Sequence, residues 1–270
     1  MTKASTLSRK MKLSFAAAAL VLVGVPAVQA QTLAPGVLKV AMEISYPPFE
    51  SYDGDKVVGF DPEVSALLAR EMKLKPQFAD TKFANLVLGL NGGQHDVVIS
   101  GLYVTAERTA IADAIPYATT GALIMVPKDS PAQPKTEKDL CGMKVGLEAG
   151  TSWVKALKTL STEYCAPNGK PAVEVSEFPT APEVSQALLS KNVQAQLEIA
   201  GAAKTFVERS KGRLAISSPA IVYPQTLGIY VKKGNTAVFQ GLESALAAVR
   251  KSGEFGALLK KYELTPVASK

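Results

Sequence analysis

Short apolar runs alternate with segments of helical period along nearly the whole chain, and the alternation halts once, restarts, and finally returns. That ordering constrains the fold more than any single motif does, because strands separated by helices assemble into largely parallel sheets with helices on their faces. Val37–Met42 reads as a first strand, and Tyr46-Pro47-Pro48-Phe49 ends it, since two prolines cannot continue a sheet interior. Asp61 is placed to cap a helix that has Pro62 at its first position and Val64, Leu67, Leu68 and Met72 at helical spacing. A second helix carries Phe83, Leu86, Val87 and Leu90 and stops at Asn91-Gly92-Gly93. Residues 96–100 have the continuous apolar centre of a strand covered on both faces. Thr105 can cap the next helix, and residues 122–126 form a further apolar strand.

A stretch rich in Pro, Lys and Ser, residues 127–138, marks a boundary, after which the pattern starts again. Residues 144–147 read as a strand, Gly150-Thr151-Ser152 opens a helix with Trp153, Leu157 and Leu160, residues 173–178 are a strand, 183–189 a helix and 193–199 a short strand. A second boundary falls at 217–223; a strand at 227–231 and two helices split by Ser252-Gly253 follow. The expectation is an α/β, two-lobed chain: residues 31–124 and 222–270 in lobe 1, residues 125–221 in lobe 2. Two crossings between lobes make a hinge, and ligand sites favour such clefts.

The first thirty residues lie apart from this pattern. Lys3, Arg9, Lys10 and Lys12 precede an apolar stretch, residues 13–25, which Pro26 breaks before Val28-Gln29-Ala30. This is the layout of a secretory signal peptide cleaved after Ala30. The alternative, an uncleaved anchor, asks for an apolar run of roughly 20 residues, and no cysteine at the cleavage point supports a lipid anchor. A periplasmic protein is therefore expected. Removing residues 1–30 takes away four basic residues and no acid, so the whole chain's charge of +6 falls to 26 basic against 24 acidic residues. Scattered, nearly balanced charges offer no broad basic surface for nucleic acid. The two cysteines, Cys141 and Cys165, are expected to form a disulfide in an oxidising compartment, the alternative being two buried thiols.

Two helix starts carry chemistry. A helix N-terminus offers free N–H groups and partial positive charge, which suits a carboxylate. After Ser100-Gly101, Thr105-Ala106-Glu107-Arg108 puts an arginine in a first turn, where it opposes the helix dipole and calls for an anion. Its plain alternative is a capped helix whose arginine is solvated or paired with Glu107. In the second unit Gly150-Thr151-Ser152 adds hydroxyl donors and a glycine that lets backbone approach a ligand. Each is an ordinary cap taken singly; one per unit could grip a carboxylate from both sides.

The motifs Tyr46-Pro47-Pro48-Phe49, Gly59-Phe60-Asp61, Ser100-Gly101 with Thr105 and Arg108, Pro116-Tyr117, Asp139-Leu140-Cys141-Gly142 and Gly150-Thr151 come in one order across residues 37–262. In that order they resemble the family 3 extracellular solute-binding proteins of amino-acid ABC transporters. The resemblance implies a periplasmic-binding-protein fold that closes over a small ligand and delivers it to a membrane permease. It implies that Arg108 pairs the ligand carboxylate, helped by Thr105 and by Ser152 with its neighbours. It also implies aromatic walls at Tyr46 and Phe83, a backbone carbonyl at Gly101 facing the ligand amino group, and Glu43 at the ligand's variable end. Core packing is the rival reading for Tyr46 and Phe83, and a solvated strand end that for Glu43. Tyr103 stands where the family commonly has a small hydroxyl residue.

The segment 192–199 departs from the family pattern, because Ile199 occupies the place of an aspartate that binds the ligand ammonium. Glu198 is adjacent, but strand neighbours point to opposite faces. Three outcomes are open: Glu198 turns in through a bulge, Glu43 supplies the counter-charge to a cationic ligand, or the ligand lacks a free ammonium. Catalysis is the rival function, since the same fold hosts cyclohexadienyl dehydratases. His95, the one histidine, is expected at the surface of a turn away from the site. No catalytic residue, metal cluster or cofactor is expected, and the chain is expected to be a monomer.

Overall fold

The computed structural model describes residues 1–2 and 31–267. The expected signal peptide therefore lies almost wholly outside the described residues. The elements run β1 (Val37–Met42), β2 (Ser45–Tyr46), β3 (Glu50–Asp53), β4 (Lys56–Val58), α1 (Phe60–Glu71), β5 (Lys75–Asp80), α2 (Leu86–Asn91), β6 (Val97–Val98), α3 (Ala106–Ile111) and β7 (Ala112–Pro127). The second unit contains β8 (Lys144–Glu148), α4 (Ser152–Leu160), β9 (Glu174–Phe178), α5 (Ala181–Leu189), β10 (Ala195–Ile199), α6 (Ala200–Arg209) and β11 (Leu214–Ile216). The chain closes with β12 (Val222–Lys232), α7 (Thr236–Lys251), α8 (Glu254–Lys261) and β13 (Thr265–Pro266).

The main sheet has the order β5-β1-β6-β12-β7-β10-β8-β9, with β11 and β13 also on β7, and β2, β3 and β4 form a small second sheet. The parallel pairs β1–β5, β1–β6, β8–β9 and β8–β10 are those expected of strands joined through helices. The two halves of this sheet are the two lobes, and β7 belongs to both. Its first part pairs with β12, and from Ala122 to Met125 it pairs with β10. The crossings thus occur within regular strands rather than in loops. The pairing of β7 with β12 is irregular between Val222 and Gln225, beside Gly121, where an added Cβ would stand 2.2 Å from Ile221 Cγ2. Only glycine lets the two crossings approach so closely there.

Several expectations are corrected. The strand expected at 122–126 is the end of a 16-residue strand, and that expected at 96–100 shortens to Val97–Val98. Asp61 does not cap α1. The N-cap is Gly59 (φ 127°), and carbonyls from a distant loop serve the helix start: Phe60 N donates to Pro48 O and Asp61 N to Phe49 O. The Asp61 side chain turns inward instead and is fully buried. His95 is not at the surface. It is 3% exposed and its Nε2 lies 2.9 Å from Leu86 O; Gly89 leaves room for the ring, since a Cβ there would stand 2.6 Å from His95 Cε1. Cys141 and Cys165 are joined, with Cα atoms 5.7 Å apart, tying the approach to β8 to the turn after α4.

Candidate functional site

A narrow cavity of about 10 Å³ lies between the lobes. Lobe 1 lines it with Tyr46, Phe83, Gly101, Tyr103 and Arg108, and lobe 2 with Glu148, Thr151, Ser152, Trp153 and Ile199. Eight of these ten were expected from the sequence; Glu148 and Trp153 were not. Glu43, Ser100, Thr105, Gly150 and Glu198 stand just behind the wall rather than in it.

The Arg108 end is built by α3. Thr105 caps that helix, its Oγ1 accepting from Arg108 N at 3.2 Å. The guanidinium lies 5.5 Å over the Phe83 ring and donates to Tyr103 O (2.8 Å) and, across the cleft, to Gly150 O (2.9 Å). Gly150 has φ 82°, and its Cα would carry a Cβ 3.0 Å from Ala84 Cα, so the lobes meet backbone to backbone at this point. The α4 start faces the same end. Thr151 Oγ1 donates back to Glu148 O (2.8 Å), Ser152 Oγ to Gln225 Oε1 (3.2 Å) and Val154 N to Thr151 O (3.3 Å), so in the first turn the N–H groups of Ser152 and Trp153 are the ones without intrahelical partners.

The walls are aromatic. Tyr103 of lobe 1 meets Trp153 of lobe 2 edge to face at 5.6 Å, and Tyr46 meets Phe206 of α6 at 6.5 Å. Gly101 (φ 53°) places its backbone against this wall, a Cβ there standing 3.4 Å from both Ile199 Cδ1 and Tyr46 Cε1. Glu198 points away from the cavity, as its strand parity requires. It accepts from Tyr46 OH, from Gln196 Nε2 (3.1 Å) and from Ile199 N (2.9 Å). Burial raises its carboxyl to about 7 despite these donors. No bulge turns it inward, so it reaches the cavity only through the Tyr46 hydroxyl.

Behind the lobe 1 wall, Ser100 Oγ accepts from Glu43 N (3.0 Å) and donates to Glu50 Oε1 (2.5 Å). Asp61 accepts from Gly101 N (2.7 Å) and Tyr117 OH (2.8 Å). Burial raises both Glu50 and Asp61, Asp61 to about 6 and Glu50 well above the carboxylate range, with the neighbouring Asp61 charge the second cause at Glu50. This pair fixes the Ser100–Gly101 turn that lines the cavity.

The opposite end is acidic. Glu43, which follows β1, and Glu148, the last residue of β8, are 3% and 6% exposed and face each other across the cleft. Burial first, and Glu43 second, raise the Glu148 carboxyl to about 11. Buried Oε1 atoms of both acids, Tyr103 OH and Trp153 Nε1 have no hydrogen-bond partner. Since buried polar groups are nearly always satisfied, the three such atoms on residues that line the cavity, those of Glu148, Tyr103 and Trp153, mark groups held ready for something that enters it. Sequence reasoning passed over Glu148 because a charged residue closing an apolar strand reads as solvated. Its position two residues before Gly150-Thr151 was the available signal.

Known proteins share this architecture. Residues 38–265 match the family described as bacterial extracellular solute-binding proteins, family 3. The chain is 29% identical over 230 residues to the L-cystine-binding protein TcyJ of Escherichia coli (strain K12), covering 84% of this chain and 82% of that one. An ancestral arginine-binding protein bound to arginine has a TM-score of 0.76 at 29% identity, covering 84% of this chain and 98% of the other. An ancestral amino acid-binding protein, a precursor of cyclohexadienyl dehydratase, has a TM-score of 0.72 at 25% identity, covering 84% and 95%. With the match running through both lobes and both crossings, this chain belongs to the bacterial extracellular solute-binding proteins of family 3.

Proposed function

We propose that the chain is the extracytoplasmic binding component of an ABC importer and that it holds an amino acid, or a closely related small carboxylate, in the cavity between its lobes. Lobe 1 is taken as residues 31–124 with 222–270 and lobe 2 as 125–221. Residues 1–30 direct export and are removed after Ala30, the mature chain acts as a periplasmic monomer, and the closed form docks on a membrane permease. Arg108 and the first turn of α4, with Thr151 and Ser152, take the ligand carboxylate. Tyr46, Phe83, Tyr103 and Trp153 enclose its body, and the Gly101 backbone lies beside its α-carbon. Glu43, Ser100, Thr105, Gly150 and Glu198 position these groups, and Ile199 forms an apolar stretch of the wall.

The observation that carries this reading is the Arg108 guanidinium reaching across the cleft to the carbonyl at the α4 start. A planar five-donor cation beside free helix N–H groups fits a carboxylate from two lobes at once. A thermal-shift screen of the mature protein against the standard amino acids and related acids tests it, because a ligand that binds only the folded state raises apparent stability. No shift with any of them sinks the reading.

We read the protein as a binder rather than an enzyme. The similarity to a dehydratase precursor is what favours catalysis. Against it, His95 is engaged with Leu86 O and does not line the cavity. Release of carbon dioxide from prephenate or arogenate by the purified protein would overturn the binder reading.

A further inference from the structure

Behind the Tyr46 wall lies a second opening between the lobes, of about 220 Å³, which shares no lining residue with the cavity already described. Lobe 1 contributes Ser45 and Pro47, the two neighbours of Tyr46, and lobe 2 contributes α5, α6 and the start of β11. Pro47, Pro182, Leu189, Phe206 and Leu214 give the opening apolar surface. Its charged residues are Arg209 and Arg213, and no acid lines it. Neither arginine is in an ion pair among the described residues. Arg213 Nε donates to Ser210 O (3.1 Å), and the other guanidinium nitrogens of both are left to face outward for a partner. Ser45 Oγ is buried and also has no partner, which is unusual for a buried polar atom. The opening and the ligand cavity have a wall in common. The Phe206 ring meets the Tyr46 ring at 6.5 Å, and Ser185 Oγ donates to Gln196 Oε1 (3.0 Å), whose Nε2 serves the same Glu198 that accepts from Tyr46 OH.

We infer that this opening is a second binding site, separate from the solute cavity, for a small organic dianion with two carboxylates on a short carbon chain, and that its occupant favours the closed lobes. Two guanidiniums four positions apart repel each other and attract anions, and each presents a planar fork that matches one carboxylate. The apolar surface between lobes suits a carbon chain, which an inorganic anion lacks. An amino acid is poorly served, because its ammonium would meet two cations and no acid. Parting the lobes draws Ser45 and Pro47 away from α5 and α6, so the opening is complete only when the lobes are closed. A dianion that prefers the closed arrangement raises affinity for the solute, and the solute raises affinity for the dianion by the same factor. The site itself stands apart from the solute-binding reading, and only this coupling rests on it.

The test uses the mature protein, with glutarate as the probe and inorganic phosphate as the comparison, read by titration calorimetry. Glutarate is expected to bind wild type, and to bind Arg209→Gln/Arg213→Gln about tenfold more weakly. Both arginines are exposed, so that double variant is expected to keep the wild-type urea midpoint and, without glutarate, the wild-type affinity for solute. With a solute identified in the thermal-shift screen, saturating glutarate is expected to tighten solute binding about fivefold or more in wild type and not at all in the double variant. No glutarate binding by wild type overturns the inference, and so does undiminished binding by the double variant. Binding that is lost in Arg108→Ala but kept in the double variant puts the dianion in the solute cavity and overturns it too. Phosphate binding as tightly as glutarate overturns the organic class, and solute affinity unmoved by bound glutarate overturns the coupling. Glutarate binding that depends on the two arginines while the solute screen is blank supports the site and counts against the solute-binding reading alone.

Discussion

Glu50 and Asp61 face each other inside one lobe, whereas Glu43 and Glu148 face each other across the cleft between two. Both are pairs of buried carboxyls, and in both burial is the largest cause of a raised carboxyl. They differ in what surrounds them. The first pair is served at three of its four oxygens by Ser100 Oγ, Tyr117 OH and Gly101 N, all fixed by the lobe's own packing, and Glu50 Oε2 has no partner. The second has Oε1 atoms that meet no donor. A buried pair held by three donors of one lobe keeps structure in place, and one whose members come from the two sides of the cavity is suited to sensing what lies between them.

The strongest way to break this comparison is to remove one member of each pair. Asp61→Ala leaves Gly101 N and Tyr117 OH without their partner. It is expected to cost about 3 kcal/mol of unfolding free energy in urea titration. Glu148→Ala is expected to change the stability of the ligand-free protein by less than about 1 kcal/mol. Equal losses from the two would end the distinction between them.

Arg108→Ala tests the opposite end of the cavity. Truncating one partner of a desolvated charge pair costs about 2–5 kcal/mol, so affinity for a verified ligand should fall roughly 30-fold or more while the urea midpoint stays near that of wild type. An unchanged dissociation constant would make Arg108 a lobe-closing residue only.

The pair inside lobe 1 should also appear in the pH dependence of stability. Asp61 is raised from its ordinary 3.8 to about 6, and Glu50 well above its ordinary 4.5. Folded values above unfolded ones mean that the folded protein binds more protons, so stability is greatest below the unfolded values and is lost as pH rises through the folded ones. The Asp61 share is lost between its ordinary value and about pH 6, and Glu50, raised in the same direction, adds to the decline; each group contributes at most about 1.4 kcal/mol per pH unit. Glu50→Gln removes one of the two titrating groups and is expected to flatten the decline measured between pH 4 and 6. A wild-type stability that rises over this interval would contradict the assignment.

The smallest expected effect is at Gly101→Ala. With φ 53° and a new Cβ 3.4 Å from Ile199 and Tyr46, it should cost about 1 kcal/mol of stability and weaken ligand affinity through the narrowed wall. Loss of affinity without loss of stability would sharpen the case that the Ser100–Gly101 turn is held in place for the ligand.

What the sequence made legible was what neighbouring residues decide. Thr105 caps α3 through a residue three positions on, Gly253 (φ 83°) separates the last two helices, and the helix starting at Ser152 follows its glycine. What it hid depends on distant partners. Asp61 before Pro62 looks like a cap until the carbonyls of Pro48 and Phe49 arrive from elsewhere to do that task. The first half of β7 was missed because Asp113, Pro116, Thr119 and Thr120 break its apolar pattern. Pro116 has no N–H to give the ladder, and the register with β12 shifts beside it, between Leu227 and Gly228. Much of the site followed from the family resemblance, but Glu148 closes an apolar strand and reads as solvated until residues of the other lobe close the cavity it lines.

The place of β12 in the sheet also sets an order of completion. It lies between β6 and β7, yet it is among the last segments of the chain to be synthesised. A growing polypeptide holds β1, β5, β6 and β7 early, but β6 and β7 share no edge until residues 222–232 arrive. Meanwhile β8 to β11 and their helices are contiguous and can assemble on the far half of β7. The lobe that begins first is therefore the one that finishes last. Until it does, β6 and β7 present unpaired edges, which are natural binding sites for other chains. Those two edges are a physical mark of an unfinished molecule, and the arrival of a single strand erases both.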